Sequence, residues 1–187
     1  MNGTFNSREC MIHVESVSKE TIENLFTPCR ECVYWEAPHC ETTATDTISI
    51  KKKWFEETLK TFGNCGKILY VERFPVGYAQ YCSPHYLENA REYSKVLPAS
   101  PDTILISCLY VREGYRKKGL GTALLGSVLD DLELRGYCTV ETYSRDDSPN
   151  NCSGPSVFYL KNGFAVIRKK EWENIPFSLM RYDFKSR

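Results

Sequence analysis

Apolar and polar positions along the chain change period several times, and each change marks an element. Residues 11–17, Met-Ile-His-Val-Glu-Ser-Val, alternate as a half-buried strand does. Ser18 then stands where a cap is needed for a helix through Ile22, Leu25 and Phe26. A second helix is predicted over 47–62: Ile50 and Trp54 form one i, i+4 pair, Phe55 and Leu59 another, and Gly63 follows at C′. Residues 67–72 and 77–82 read as two strands around a turn at 73–76. Residues 83–100, with Pro84, Pro98 and Pro101 at their edges, read as a long loop or short helix of the kind that shapes binding sites. The long apolar run 103–112 predicts a central strand buried on both faces.

The strongest helical signal covers 119–135, where Leu120, Leu124, Val128 and Leu132 recur every four residues before Gly136. A strand over 139–143 follows, then a short helix over 155–162 opened by Pro155, and strands over 164–170 and 177–184. This order of strands and helices predicts an α/β protein with a mixed sheet.

Composition narrows the function. A chain of 187 residues without repeats or a Gly/Ser linker reads as one domain over 1–187, with 1–10 as a tail. Apolar residues make up 42% and charged residues 26%, ordinary for a soluble domain. Lys+Arg and Asp+Glu balance at 24 each, so the basic surplus of a nucleic-acid binder is missing. No stretch reaches the ~18 apolar residues of a membrane span. The first ten residues hold no basic region followed by an apolar core, so no signal peptide is expected. Nine cysteines, an odd number, then read as reduced thiols, and the expected compartment is the cytoplasm.

The most informative segment is Val111-Arg112-Glu113-Gly114-Tyr115-Arg116-Lys117-Lys118-Gly119-Leu120-Gly121-Thr122. A buried strand ends, a basic glycine-containing turn follows, and a helix begins. Backbone N–H groups of such a turn converge on an anion, and the helix N-terminus adds partial positive charge. Gly119 and Gly121 let backbone approach phosphate oxygens, and Arg116, Lys117 and Lys118 add charge. The turn is neither a Walker A loop, because Leu120-Gly121 stands where Lys-Ser/Thr is required, nor a dinucleotide fingerprint, because Leu124 replaces its third glycine. The competing reading is a solvated basic turn whose glycines only start a helix.

Arg-x-x-Gly-x-Gly between strand and helix resembles the coenzyme-A loop of the GCN5-related N-acetyltransferases. Phe158-Tyr159-Leu160-Lys161-Asn162-Gly163-Phe164 is similar to the aromatic-Tyr-x-x-x-Gly-Phe ending of the last helix in that superfamily. The strand around 105–111 stands where the family has its splayed central strand, and the best-matched region is 103–170. The resemblance implies a mixed central sheet flanked by helices, with splayed central strands.

It also implies transfer of an acetyl group from acetyl-CoA, a co-substrate, to a primary amine through a tetrahedral intermediate. Residues 116–122 would then hold the pyrophosphate. Leu109, Tyr110 and Val111 would hold the pantetheine arm, with a backbone N–H near Leu109 or Tyr110 as oxyanion donor. Tyr159 occupies the position of the general acid that protonates the departing thiolate; the alternative is a core tyrosine with an exposed hydroxyl. Glu141 is the candidate base, with a surface ion pair as the competing reading, and Glu36 and Glu72 are weaker candidates. The family's asparagine seven residues before the tyrosine is Cys152 here, and Asn151 is the neighbouring substitute.

Cys29-Arg30-Glu31-Cys32-Val33-Tyr34-Trp35-Glu36-Ala37-Pro38-His39-Cys40 supports three readings. Cys29 and Cys32 with His39 and Cys40 supply four zinc ligands; Cys29 and Cys32 form a redox pair; or all are small apolar residues packed near the acceptor pocket. The third is favoured, so no metal is expected. The resemblance implies that this segment walls the acceptor pocket, with Tyr34 and Trp35 lining it. Tyr81, from the tyrosine-rich stretch before the central strand, is a third candidate. The acceptor is expected to be a small-molecule or peptide amine, with no nucleic-acid or membrane partner, and exposed end strands allow a homodimer. The alternative function is a non-catalytic module that senses an acyl-CoA or a metal.

Overall fold

The computed structural model describes residues 11–40, 43–147, 154–172 and 174–185. Among these, seven strands form one mixed sheet in the order β1-β2-β3-β4-β5-β7-β6. β1 (Ile12–Ser16), β2 (Gly66–Val71), β3 (Phe74–Cys82) and β4 (Ile104–Val111) pair antiparallel in sequence order. β5 (Thr139–Arg145) runs parallel to β4, which demands a crossover connection. The helix α3 (Leu120–Leu134) supplies it. β7 (Ile175–Asp183) pairs antiparallel with β5 and with β6 (Ala165–Trp172).

Two apolar layers sandwich the sheet. On one face Phe55 of α1 (Ala44–Thr61) and Tyr93 of α2 (Glu88–Val96) pack with Trp35, Tyr78, Cys82 and Tyr143. On the other, Leu124, Leu125, Val128 and Leu132 of α3 and Tyr159 of α4 (Ser156–Lys161) pack with Ala79, Tyr81, Ile104 and Ile106. No helix among the described residues is long and apolar enough to cross a membrane.

Local chemistry accounts for the element ends. Thr43 and Asp46 form a reciprocal capping box that starts α1 earlier than the apolar period suggests. Its inward stripe is Lys51, Phe55 and Thr58, all buried, rather than Ile50 and Trp54. The helix expected after Ser18 is a single 3-10 turn, Ile22–Asn24, because Pro28 cannot donate the N–H a continuing helix needs. The hairpin turn is tighter than expected: Glu72 takes φ 58° and pairing resumes at Phe74. The 83–100 insertion holds a 3-10 turn, Pro84–Tyr86, and α2.

The decisive irregularity lies in β4. Gln80 aligns with Cys108 but Tyr81 aligns with Ile106, so Ser107 is an extra residue. Such a bulge bends its strand and changes which side chains share a face. Leu105 faces the α1–α2 layer before it; after it, Cys108 and Tyr110 do, while Leu109 packs on the α3 side. Ladder pairing of β4 with β5 covers only Ile104 to Ile106 against Val140 to Thr142. Beyond that point the two parallel strands part, and a fork opens in the middle of the sheet.

Candidate active site

A cavity of about 730 Å³ fills the α3–α4 side of the fork. Its walls are Leu109, Tyr110 and Val111 of β4, Arg116, Lys117, Gly119, Gly121 and Thr122 of the following loop and helix, and Gly154 with Phe158 across the gap. Beyond Ile106 the β5-facing polar groups of β4 have no ladder partner among the described residues, so an extended ligand arm can add to that strand edge as another strand would. Lys117 at φ 60° and Gly119 at φ 80° both adopt left-handed backbone. Such residues interspersed in a turn swing successive N–H groups toward one concavity, an anion nest, and Gly119 is also the N-cap of α3. A non-glycine held at positive φ is strained and is found at ligand-gripping loops. At Gly121 a Cβ would lie 3.3 Å from the Phe158 ring, so glycine lets α3 and α4 close around the cavity without that ring giving way by a few tenths of an ångström. Arg116 donates Nε–H to the Val111 carbonyl at 2.8 Å and lies over the Tyr110 ring, 5.3 Å from its centroid. This combination of basic nest, glycines and open strand edge fits the pyrophosphate and pantetheine arm of coenzyme A.

Across the gap, Asp146 caps α4 by accepting from the Ser156 backbone N–H and hydroxyl, each at 2.8 Å. That cap orients Tyr159, which is fully buried and makes edge-on ring contacts with Phe158 and Phe164. Its hydroxyl lies behind Gly154, 3.9 Å from where a Cβ on that residue would stand, and Gly154 is part of the cavity wall. Tyr159 therefore sits at the edge of the first cavity rather than on its open surface.

A second cavity, about 340 Å³, opens on the α1–α2 side of the same strands. Tyr34, Trp35, Tyr78, Tyr93 and Tyr110 give it aromatic walls, and Tyr110 belongs to both cavities. At its base the Lys51 ammonium donates to Glu36 Oε1 at 2.6 Å and to Gln80 Oε1 at 3.1 Å. Burial penalises the Lys51 ammonium, but the charge and hydrogen bond of the Glu36 carboxylate outweigh that and lift its pKa above the ordinary lysine value. Lys51 is therefore a cation at neutral pH.

The structure sorts the residues expected from sequence. Leu109, Tyr110, Val111, Arg116, Lys117, Gly119, Gly121 and Thr122 line one cavity, and Tyr34 with Trp35 line the other. Lys118 turns away, donating to the Gly114 carbonyl at 3.0 Å. Asn151 and Cys152 lie outside the described residues. Tyr81 needs correction as a pocket residue: strand alternation puts it opposite Tyr78 and Gln80, and its hydroxyl donates to Asp131 of α3 at 3.0 Å. Glu141 does not fit a base in the cleft. It lies on the closed side of the fork, and its fully buried carboxylate accepts from Arg181 and from the Ser100 N–H and hydroxyl. Glu72 is the exposed hairpin residue.

Lys51, Gln80 and Arg145 escaped sequence reasoning, although a lysine on the Lys51-Phe55-Thr58 stripe was a readable signal. Cys29, Cys32 and Cys108 line the second cavity. Burial raises the Cys32 pKa; the hydrogen bond with Cys29, then burial, hold the Cys108 thiol well above its usual value. Both stay protonated at neutral pH, where a thiolate is the reactive and metal-binding form. Among the described residues no group of three or more His, Cys, Asp or Glu side chains has a metal-holding arrangement.

No curated protein sequence matches the chain significantly. In fold it is similar to the N-acetyltransferase from Staphylococcus aureus Mu50, with 18% identity and a TM-score of 0.60 over 94% of this chain and 99% of that one. It is also similar to the PaiA N-acetyltransferase of Thermoplasma acidophilum in complex with coenzyme A, at 16% identity and TM-score 0.58 over 93% and 99%. A third similar fold is Arabidopsis thaliana Naa50 in complex with the bisubstrate analogue CoA-Ac-MVNAL, at 15% identity and TM-score 0.55 over 92% and 99%. The model of the acetyltransferase (GNAT) domain family matches residues 67–166, from β2 through the fork to β6. With more than half of its length matched by that model, and with the forked sheet and glycine-bearing nest just described, the chain belongs to the GNAT acetyltransferase family.

Proposed function

We propose that the protein is an acetyl-CoA-dependent N-acetyltransferase that acetylates a primary amine by direct transfer. The observation that carries this reading is that two cavities, one of about 730 Å³ lined by the basic glycine-bearing turn and one of about 340 Å³ with aromatic walls, both reach Tyr110 where β4 and β5 part. Acetyl-CoA supplies an acetyl group activated as a thioester.

The chain supplies position and protons. Residues 116–122 grip the pyrophosphate, and the open edge of 109–111 aligns the arm so that the carbonyl points at a backbone N–H of β4. The amine, having lost one proton to solvent, enters through the second cavity and bonds to the carbonyl carbon. The carbon–sulfur bond then breaks as the Tyr159 hydroxyl gives its proton to the departing sulfur, and the attacking nitrogen releases its remaining extra proton through water, which restores the tyrosine and leaves the neutral amide. A tyrosine of ordinary pKa ~10 protonates a thiolate of ~8.5 only uphill, so close placement must supply the advantage.

Isothermal titration of the reduced protein with acetyl-CoA tests the first half, and micromolar affinity is expected. No binding up to millimolar concentration in a folded sample overturns the reading. Tyr159→Phe tests the second half. Acetyl transfer, followed by release of the coenzyme thiol, is expected to fall at least tenfold with acetyl-CoA affinity nearly unchanged. Undiminished transfer would remove Tyr159 from the mechanism.

A further inference from the structure

Amine acetylation asks little of the second cavity beyond space, yet residues that line it carry buried polar atoms without a hydrogen-bond partner among the described residues. Lys51 Nζ and the Tyr78 hydroxyl, at 3.1 and 2.6 Å, both donate to Gln80 Oε1, and these two donors settle which end of the amide is which. Gln80 Nε2 is therefore a true leftover donor. Among the described residues, it has no hydrogen-bond partner, and neither do Glu36 Oε2 and Trp35 Nε1. The Glu36 side chain is only 1% exposed, so its second oxygen is not simply solvated. Buried polar atoms without partners are rare in native folds and each costs stability. Three on residues lining one cavity mark a ligand subsite.

Their chemistry describes the ligand. A carboxylate oxygen takes an N–H, best a charged one, while an indole N–H and an amide N–H take oxygen lone pairs. The body between them faces aromatic rings, which suit a flat apolar group and favour a nearby cation. The site has no surplus positive charge for a substrate carboxylate: Lys51 is matched by Glu36, and Arg145 by Asp147 through two hydrogen bonds of 2.9 and 2.6 Å. A volume of about 340 Å³ is at the small-molecule end of the range for ligand sites.

We propose that Glu36 receives the ammonium of the acceptor on Oε2, the oxygen that Lys51 leaves unused, and that the acceptor is a small aromatic primary amine carrying an oxygen that accepts from Trp35 or Gln80. This rests on the acetyltransferase reading above. Glu36 holds the ammonium in register with the thioester; the amine then sheds its proton to solvent before bonding to the acetyl carbon.

The test uses the full chain with saturating acetyl-CoA. Release of the coenzyme thiol is followed with tyramine, with 2-phenylethylamine, and with a short peptide bearing a free N-terminus and one lysine. Tyramine is also titrated calorimetrically into the CoA-saturated protein, which reads binding without turnover. Tyramine is expected to bind and react, 2-phenylethylamine to show a KM about tenfold higher, and the peptide to react at least about tenfold less efficiently.

Glu36→Gln is expected to raise the tyramine KM at least about tenfold with acetyl-CoA affinity unchanged. Because that variant leaves Lys51 buried without its counter-ion, Glu36→Gln/Lys51→Met, which removes both charges, is measured beside it and should show the same rise. A folded double variant with wild-type KM overturns the docking role, and reaction with the peptide but not tyramine overturns the substrate class. Absence of acetyl-CoA binding, by contrast, overturns the acetyltransferase reading and this inference with it.

Discussion

Gly119→Glu is expected to weaken acetyl-CoA binding by about 100-fold or more while leaving the fold intact. Gly119 caps α3 at φ 80° and lines the first cavity, and a Cβ there meets no atom within 4 Å. The substitution therefore causes no clash within the protein. Its penalty on folding is the left-handed conformation, about 1–2 kcal/mol. The carboxylate, however, sits where the nest and the helix N-terminus attract an anion, and it competes with the pyrophosphate for the same N–H groups. Losing two charge-assisted hydrogen bonds of about 1.5–3 kcal/mol each is enough for the stated factor. Gly119→Ala carries the backbone strain without the charge, so its affinity should stay within about fivefold of wild type. Calorimetric titration of both variants, with circular dichroism as the check on folding, separates the two causes. Equal affinities for Gly119→Glu and wild type would mean that the anion binds elsewhere.

Lys51→Met has the largest expected effect on stability, a loss of about 3–5 kcal/mol. Lys51 and Glu36 are buried together at 2.6 Å, and removing one partner strands the other charge in the interior. For a domain of this size that corresponds to a melting temperature lower by about 10 °C. Glu36→Gln/Lys51→Met leaves no stranded charge and should recover most of the loss, because a neutral pair avoids the desolvation that the ion pair has to offset.

The pH dependence has a definite sign. The pKa of Lys51 is raised on folding, so its contribution is fully present below the unfolded value of ~10.4 and is lost as pH rises through the folded value. Denaturant titrations between pH 8 and 11 should therefore show wild-type stability falling relative to that of the double variant, which lacks Lys51, only above about pH 10. A wild type that gains stability relative to the double variant as pH rises from 8 to 11 would contradict a Lys51 pKa raised on folding.

Much of the coenzyme side was legible because its signals are local. Strand, glycine-bearing basic turn and helix follow one another within a dozen residues, and the backbone of that segment makes the nest. The four-residue repeat of α3 and the strand order on either side were likewise local periodicities, reproduced within a few residues by the sheet and helices observed. Proline and capping explain most boundary shifts: Pro28 stops a helix that Ile22, Leu25 and Phe26 suggested, and the Thr43–Asp46 box starts another early.

The acceptor side was much less legible. Tyr34 and Trp35 could be placed, but Tyr81 could not, since alternation along β3 fixes only which residues share a face and not which face holds the cavity. Glu141 looked available because a single acidic residue in a strand gives no sign of Arg181 and Ser100, which are distant in sequence and close only after β7 pairs with β5.

The sequence by itself determined the element order, the basic glycine-bearing turn between β4 and α3, and the short helix that carries Tyr159, because each rests on a run of neighbouring residues whose conformations are set locally. The tertiary structure alone decided where the sheet forks and which side chains line the second cavity. One extra residue at Ser107 switches which side chains of β4 share the cavity face, and Glu36, Lys51 and Gln80 become one polar group only when a loop, a helix and a strand close over that face. Parity after a bulge and the pairing of a buried charge both depend on partners far along the chain, and no local pattern encodes them.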